Sequence, residues 1–137
     1  MSIIIRDDGF HDDDLALEFV ALADLPEPGT ARAIALQPGD QVQHLSNRLG
    51  GIEAIRIAFP AFSDGRGFTL AKRLREMGFA GRLRATGHVI PDQYAMARRS
   101  GFDEVEISDE LAQRLTEDDW LARANWRAHD YQSRLRA

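Results

Sequence analysis

The chain has 137 residues, 44% hydrophobic and 28% charged, with a formal net charge of −5 and no cysteine. This is the length and composition of one soluble globular domain, unlike a disordered chain and too short to divide comfortably in two. The missing thiols exclude disulfides, thiolate catalysis, Cys-based zinc sites and iron–sulfur ligation by this chain.

Charge is unevenly distributed: net −7 over residues 1–55, +6 over 56–99 and −4 over 100–137. A basic centre between acidic ends suits an anionic ligand or partner, or equally an internal balance of charge between elements. The acidic total argues against general nucleic-acid binding. No apolar run approaches the roughly 18 residues of a membrane span, and Met1-Ser2-Ile3-Ile4-Ile5-Arg6 lacks the architecture of a signal peptide. A cytoplasmic location is therefore expected, with no membrane partner.

In chain order, Ile3-Ile4-Ile5 before Asp7-Asp8-Gly9 reads as a short strand and turn. The run Leu15 to Leu22 after Asp12-Asp13-Asp14 fits either a capped helix or a strand. The triple Asp lacks the spaced oxygens of a calcium loop and reads as a solvated acidic turn. Pro26-Glu27-Pro28-Gly29 closes a preamble over 1–30. A repeated strand-then-helix core follows over 31–108. Its strands are predicted at Ala33–Leu36, Ile55–Phe59, Arg82–Thr86 and Val105–Ile107. Its helices are predicted over Gln41–Leu49 with Asp40 as N-cap, Phe68–Met77, and Gln93–Ser100. Ser108 or Asp109 caps a helix carrying Leu111 and Leu115. The segment 109–137 is predicted helical. Trp120, Ala124, Ala128, Tyr131 and Leu135 recur on one face of a long terminal helix, suited to core packing or to a homodimer contact.

These units predict a single α/β domain with a mostly parallel sheet of about four βα units. An open, doubly wound form is favoured and a half-barrel is the alternative. In either form the loops after the strands share one edge, where such folds bind ligands. That edge should gather Asp40, Ser108, His88, Asp92, Gln93 and the stretch Phe59-Pro60-Ala61-Phe62-Ser63-Asp64-Gly65-Arg66-Gly67. Two glycines flanking Arg66 at a helix start offer a planar cationic fork and free amides, a combination suited to phosphate, sulfite, sulfate or carboxylate. The competing reading is that Asp64 caps the helix and pairs with Arg66. His88 is the candidate proton carrier, with Asp92 or Asp64 to orient it. His11, His44 and His129 share no ligand spacing, so no metal is expected. The stretch matches neither a P-loop nor a dinucleotide fingerprint, and no cofactor is expected.

The stretch 59–68, with Leu74-Arg75-Glu76, Gly78-Phe79, Gly81-Arg82-Leu83-Arg84-Ala85, Gly87, Asp92-Gln93 and Arg99-Ser100-Gly101-Phe102-Asp103, closely resembles a bacterial domain-of-unknown-function family. The genes of that family commonly lie beside assimilatory sulfite reductase. The resemblance covers residues 31–108 and implies a role in sulfur assimilation, with sulfite reductase or its electron donor as partner. It places the family's motif on Pro60, Asp64, Gly65, Arg66, Gly67, Arg84, Gly87, Asp92 and Gln93. Relatives often carry Cys where Ser100 stands and an acid where His88 stands, which weakens a thiol or His88 mechanism for the group. The expectation is an accessory protein of sulfite reduction that binds an oxyanion through Asp64, Gly65, Arg66, Gly67, Arg84 and Gln93. A small enzyme acting on an anionic metabolite by acid–base chemistry is the alternative.

Overall fold

The structure, a computed structural model, describes residues 2–24, 32–46 and 49–126. Within them β1 (Ser2–Arg6), β2 (Gly9–Asp12), β3 (Phe19–Ala21), β4 (Ala33–Leu36), β5 (Ala54–Phe59), β6 (Arg82–Gly87) and β7 (Glu104–Ser108) form one sheet, ordered β2-β1-β7-β6-β5-β4-β3. Strands β3 to β7 are parallel to their neighbours, and β1 runs antiparallel to β2 and β7. The helices are α1 (Arg66–Glu76), α2 (Tyr94–Ser100), α3 (Asp109–Arg114) and α4 (Glu117–Leu121).

The period of two along each strand separates the faces. On one face the register aligns Leu36, Ile57, Ala85, Val105 and Ile5 in a row across five strands, all buried. Leu70, Ala71 and Leu74 of α1 and Tyr94 and Ala97 of α2 belong to the same core. The other face carries Arg56, Arg82, Arg84, Glu104 and Glu106. The chain from β2 to β3 must cross this face, because those strands are the two edges of the sheet. On the way Asp13 grips Arg84, Asp14 grips Arg82 and Arg6, and Phe19 lies under the Arg56 guanidinium. The acidic run is therefore a strap and not a solvated turn.

The strap also sets the shape of the sheet. From Asp12 to Phe19 the chain reaches at most about 25 Å, whereas six flat inter-strand steps would need about 29 Å. The sheet must curl towards the strap, with its polar face concave. Strands β3 to β7 succeed one another without reversal, so the favoured doubly wound arrangement, which needs a reversal, is replaced by a singly wound sheet closer to the half-barrel alternative.

Other expectations are corrected. The count of four βα units does not hold. An α-helix joins β5 to β6 and β6 to β7, but between β4 and β5 only 3-10 turns at Val42–Leu45 and Leu49–Gly51 are found among the described residues. Asp40 spends its carboxylate closing its own turn on the Gln37 amide, 2.7 Å away, and leaves the following segment uncapped. Of the two readings open for Leu15–Leu22, the strand holds at Phe19–Ala21 as β3, with the strap before it and a 3-10 turn starting at Leu22. The long terminal helix ends at Leu121. Arg123 and Ala124 instead bond three residues back, which tightens the chain into a turn. Ala128, Tyr131 and Leu135, and with them the full dimer face, lie outside the described residues, as does Pro26–Gly29.

The strap makes stability depend on acid pH. The Arg82 hydrogen bond holds the Asp14 carboxyl down at about 2. Burial would raise the Asp13 carboxyl, but the bonds from Arg84 leave it lowered. Carboxyls depressed in the folded state contribute stability above their unfolded values and lose it as pH falls through the folded ones. Urea midpoints should therefore drop between about pH 4 and pH 2. In Asp13→Asn/Asp14→Asn the midpoint should be lower at pH 7 and the acid limb flatter; an unchanged limb would show that the strap is not the titrating element.

Candidate functional site

The parallel strands deliver their following loops to one edge. The Gln37–Asp40 turn follows β4, the loop Pro60–Gly65 follows β5, Gly87–Pro91 follows β6, and α3 begins directly after Ser108 of β7. Asp40, Asp64, His88, Asp92, Gln93 and Ser108 thus lie on the loops of this edge, as the order of elements requires.

At the start of α1, Asp64 accepts from the Arg66 amide (3.2 Å), Nε (3.0 Å) and Nη2 (2.8 Å). The pairing of the competing reading is present, whereas the N-cap position itself falls on Gly65 with no side-chain cap bond. Arg66's hydrogen bond is the leading cause that holds the Asp64 carboxyl below its ordinary range, which makes Asp64 a poor base. Arg66 remains 64% exposed, and its Nη1 and the second proton of its Nη2 are left for a ligand. Gly67 serves packing: a Cβ there would lie 2.5 Å from Phe59 Cζ. Gly65 precedes Arg66 as the helix N-cap, with open space on most sides.

Gln93 joins two loops. Its Nε2 donates to the Phe62 carbonyl (2.6 Å) and its Oε1 accepts from the Ile90 amide (3.1 Å), so it fixes the wall rather than reaching for a ligand. His88 donates its backbone amide to the Phe59 carbonyl (2.8 Å) and sets its ring edge-on to Phe62, centroids 5.2 Å apart. Asp92 pairs with Arg123 at 2.7 Å and does not orient His88. Between the ends of β6 and β7 lies a pocket of about 270 Å³, bounded by Phe62, Gly87, His88, Ser108, Leu111 and Arg114, with Glu110 beside them. Phe62 lies in the motif stretch without a role assigned to it, and Arg114 carries no motif signal at all. Their role emerges only when α3 folds back beside the β6 loop.

Arg84 does not join this edge. It lies mid-strand on the concave face, 1% exposed. Its Nε meets Glu104 at 2.6 Å, its Nη1 meets Glu106 at 3.1 Å, and both Nη atoms meet Asp13 at 3.1 Å. Of the nine cations in 56–99, five are bound to carboxylates among the described residues: Arg66, Arg75, Arg82, Arg84 and Arg98. The basic centre is largely internal charge balance. No group of three metal-ligating side chains occurs among the described residues, nor any helix long and apolar enough to cross a membrane.

The family model for a bacterial protein of unknown function, DUF934, matches residues 33–137. The chain belongs to this family. The match begins at β4, so β1, β2, β3 and the strap lie before it, whereas both walls of the edge pocket lie inside it. No curated protein and no solved structure matches the chain.

The packing role of Gly67 has a measurable consequence. Gly67→Ala should lower unfolding free energy by about 1–3 kcal/mol through overpacking against Phe59, with Gly65→Ala nearly neutral in comparison. Equal tolerance of both substitutions in urea titrations would return Gly67 to a role in ligand binding alone.

Proposed function

We propose that this protein is an accessory component of sulfite reduction, docking on sulfite reductase or its electron donor through the loop that follows β5. One observation carries this reading. Phe62, 42% exposed, stands on the same braced loop as the 64% exposed Arg66. Aromatic and arginine side chains are the residues most often used as interface anchors. A loop held by Gln93 and Asp64 loses little further entropy on docking. An oxyanion or acidic side chain of the partner would meet Arg66 Nη1. The direction towards sulfite comes from the gene neighbourhood of the resembled family, not from the geometry.

A second reading, a small enzyme acting on an anionic metabolite, is favoured by a different observation: His88 borders the edge pocket. It requires turnover of such a metabolite by the purified chain alone.

Sedimentation of the chain with the cognate sulfite reductase tests the first reading. Association should appear at low salt, weaken at moderate salt, and fall at least tenfold in Arg66→Ala and in Phe62→Ser, about 1.4 kcal/mol or more each. Absence of association under every condition would discard the accessory reading.

A further inference from the structure

We infer that the pocket between the ends of β6 and β7 binds a small organic acid, with its acidic group on Arg114 and its apolar or aromatic body against Phe62 and Leu111. This stands whether or not the edge also docks a protein.

The pocket is preformed on both sides. Gly87 has φ +114, and a Cβ there would lie 2.7 Å from the Phe59 carbonyl oxygen. Only glycine lets the chain turn here and place the His88 amide on that carbonyl. The opposite wall, Phe62, is held through its own carbonyl by Gln93. A preformed wall does not have to be ordered when a ligand arrives.

Polar groups in the pocket are mostly donors with capacity to spare. Ser108 Oγ accepts from the Leu111 amide at 3.2 Å, which leaves its hydroxyl proton uncommitted. The His88 ring meets Phe62 edge-on and has no hydrogen-bond partner among the described residues. Among the described residues Arg114 makes one ion pair, with Glu110 one turn away at 3.3 Å, and both are largely exposed. Such an exposed pair holds its partners only weakly, so a ligand carboxylate can take the guanidinium while Glu110 stays in water. Arg66, by contrast, is chelated by Asp64 through three bonds. An incoming anion therefore has a readier cation at Arg114.

Size and surface limit the ligand. About 270 Å³ lies just below the usual range for drug-sized sites, which suits a one-ring or short branched acid and leaves no room for a nucleotide. Leu111 and Phe62 offer apolar surface that a bare oxyanion would waste.

The test is a titration of the ¹⁵N-labelled full chain followed by amide shifts, with no partner protein present, so its outcome is separate from that of the docking experiment. Benzoate, benzyl alcohol and inorganic sulfate are the probes. Benzoate should give saturable shifts at the amides of Gly87, His88, Ser108 and Leu111 with millimolar affinity, about what nine heavy atoms can deliver. Arg114→Gln, at a surface position that leaves the fold intact, should weaken it about tenfold, and Phe62→Ser should weaken it as well. Equal binding of benzyl alcohol would overturn the acidic requirement, and equal binding of sulfate at the same amides would overturn the apolar one. Absence of saturation by benzoate would overturn the site.

Discussion

The Arg84–Glu104 pair is the constraint on which the sheet depends. Both side chains are 1% exposed, and burying two charges is tolerable only when every remaining lone pair and proton is also engaged. Here Glu104 Oε2 takes Arg84 Nε, while Oε1 takes Arg82 and Arg6. Asp13 and Glu106 complete the Arg84 fork. Four pieces of chain, β1, β6, β7 and the strap, are thereby tied at one point. A slip of one residue in β6 would move Arg84 to the apolar face and Leu83 to the ionic one. A well-packed apolar pair would hold the strands about as firmly, whereas loss of one partner alone costs about 3–5 kcal/mol. The network's distinctive contribution is therefore to register.

Because this network consumes the concave face, the two ends of the sheet are left to divide the remaining work. At the end where the parallel strands begin, Arg75 donates to the carbonyls of Phe79, Gly81 and Gly101 and to Asp103, stitching together the entries to β6 and β7. Asp7 similarly collects Tyr94, Arg98 and Trp126. Burial would raise the Asp7 carboxyl, yet those donors leave it lowered. Arg75 and Arg98 are thereby committed to the fold. At the opposite end Arg66, Arg114 and Arg123 are each more than half exposed, and their carboxylate partners are close neighbours or surface groups. These exposed cations lie where the strands finish, the edge at which other parallel sheets place ligands.

Local signals in the sequence carried the strands of the core well. Ala33–Leu36, Ile55–Phe59 and Val105–Ile107 are short, mostly apolar runs, and the structure places them within a residue or two of expectation. The role of Arg84 was not legible. It is expected among the oxyanion-binding residues, but the face it lies on is covered by a strap about seventy residues earlier in the chain, and nothing local reports such a partner. Asp12-Asp13-Asp14 was opaque for the same reason. The terminal helix failed differently: Trp120 and Ala124 keep helical spacing, but Trp126 Nε1 reaches back to Asp7, and that long-range bond competes with helix continuation. Of the candidate site, the edge was legible because element order alone fixes which loops meet there. Arg114 was not, because an exposed arginine on a polar helix carries no signal until its neighbours are known.

The glycines of the motif show how one signal can serve two causes. Gly65-Arg66-Gly67 at a helix start invites an anion, since glycine lets backbone amides approach a ligand closely. The structure supplies a nearer reason, and it lies in Phe59, the last residue of β5. Its ring packs on the spot where Gly67 lacks a side chain, with Phe68 and Phe102 at centroid distances of 5.0 and 5.8 Å. Its carbonyl receives His88 and leaves no room for a Cβ at residue 87. One buried aromatic residue therefore positions both the start of α1 and the β6 loop that walls the pocket. The same glycines that close the core bring the rim into shape, so a substitution at Gly67 or Gly87 acts on stability and on the pocket together. Separating binding from folding at this edge must rely on the exposed side chains, Phe62, Arg66 and Arg114, whose removal leaves the packing around Phe59 untouched.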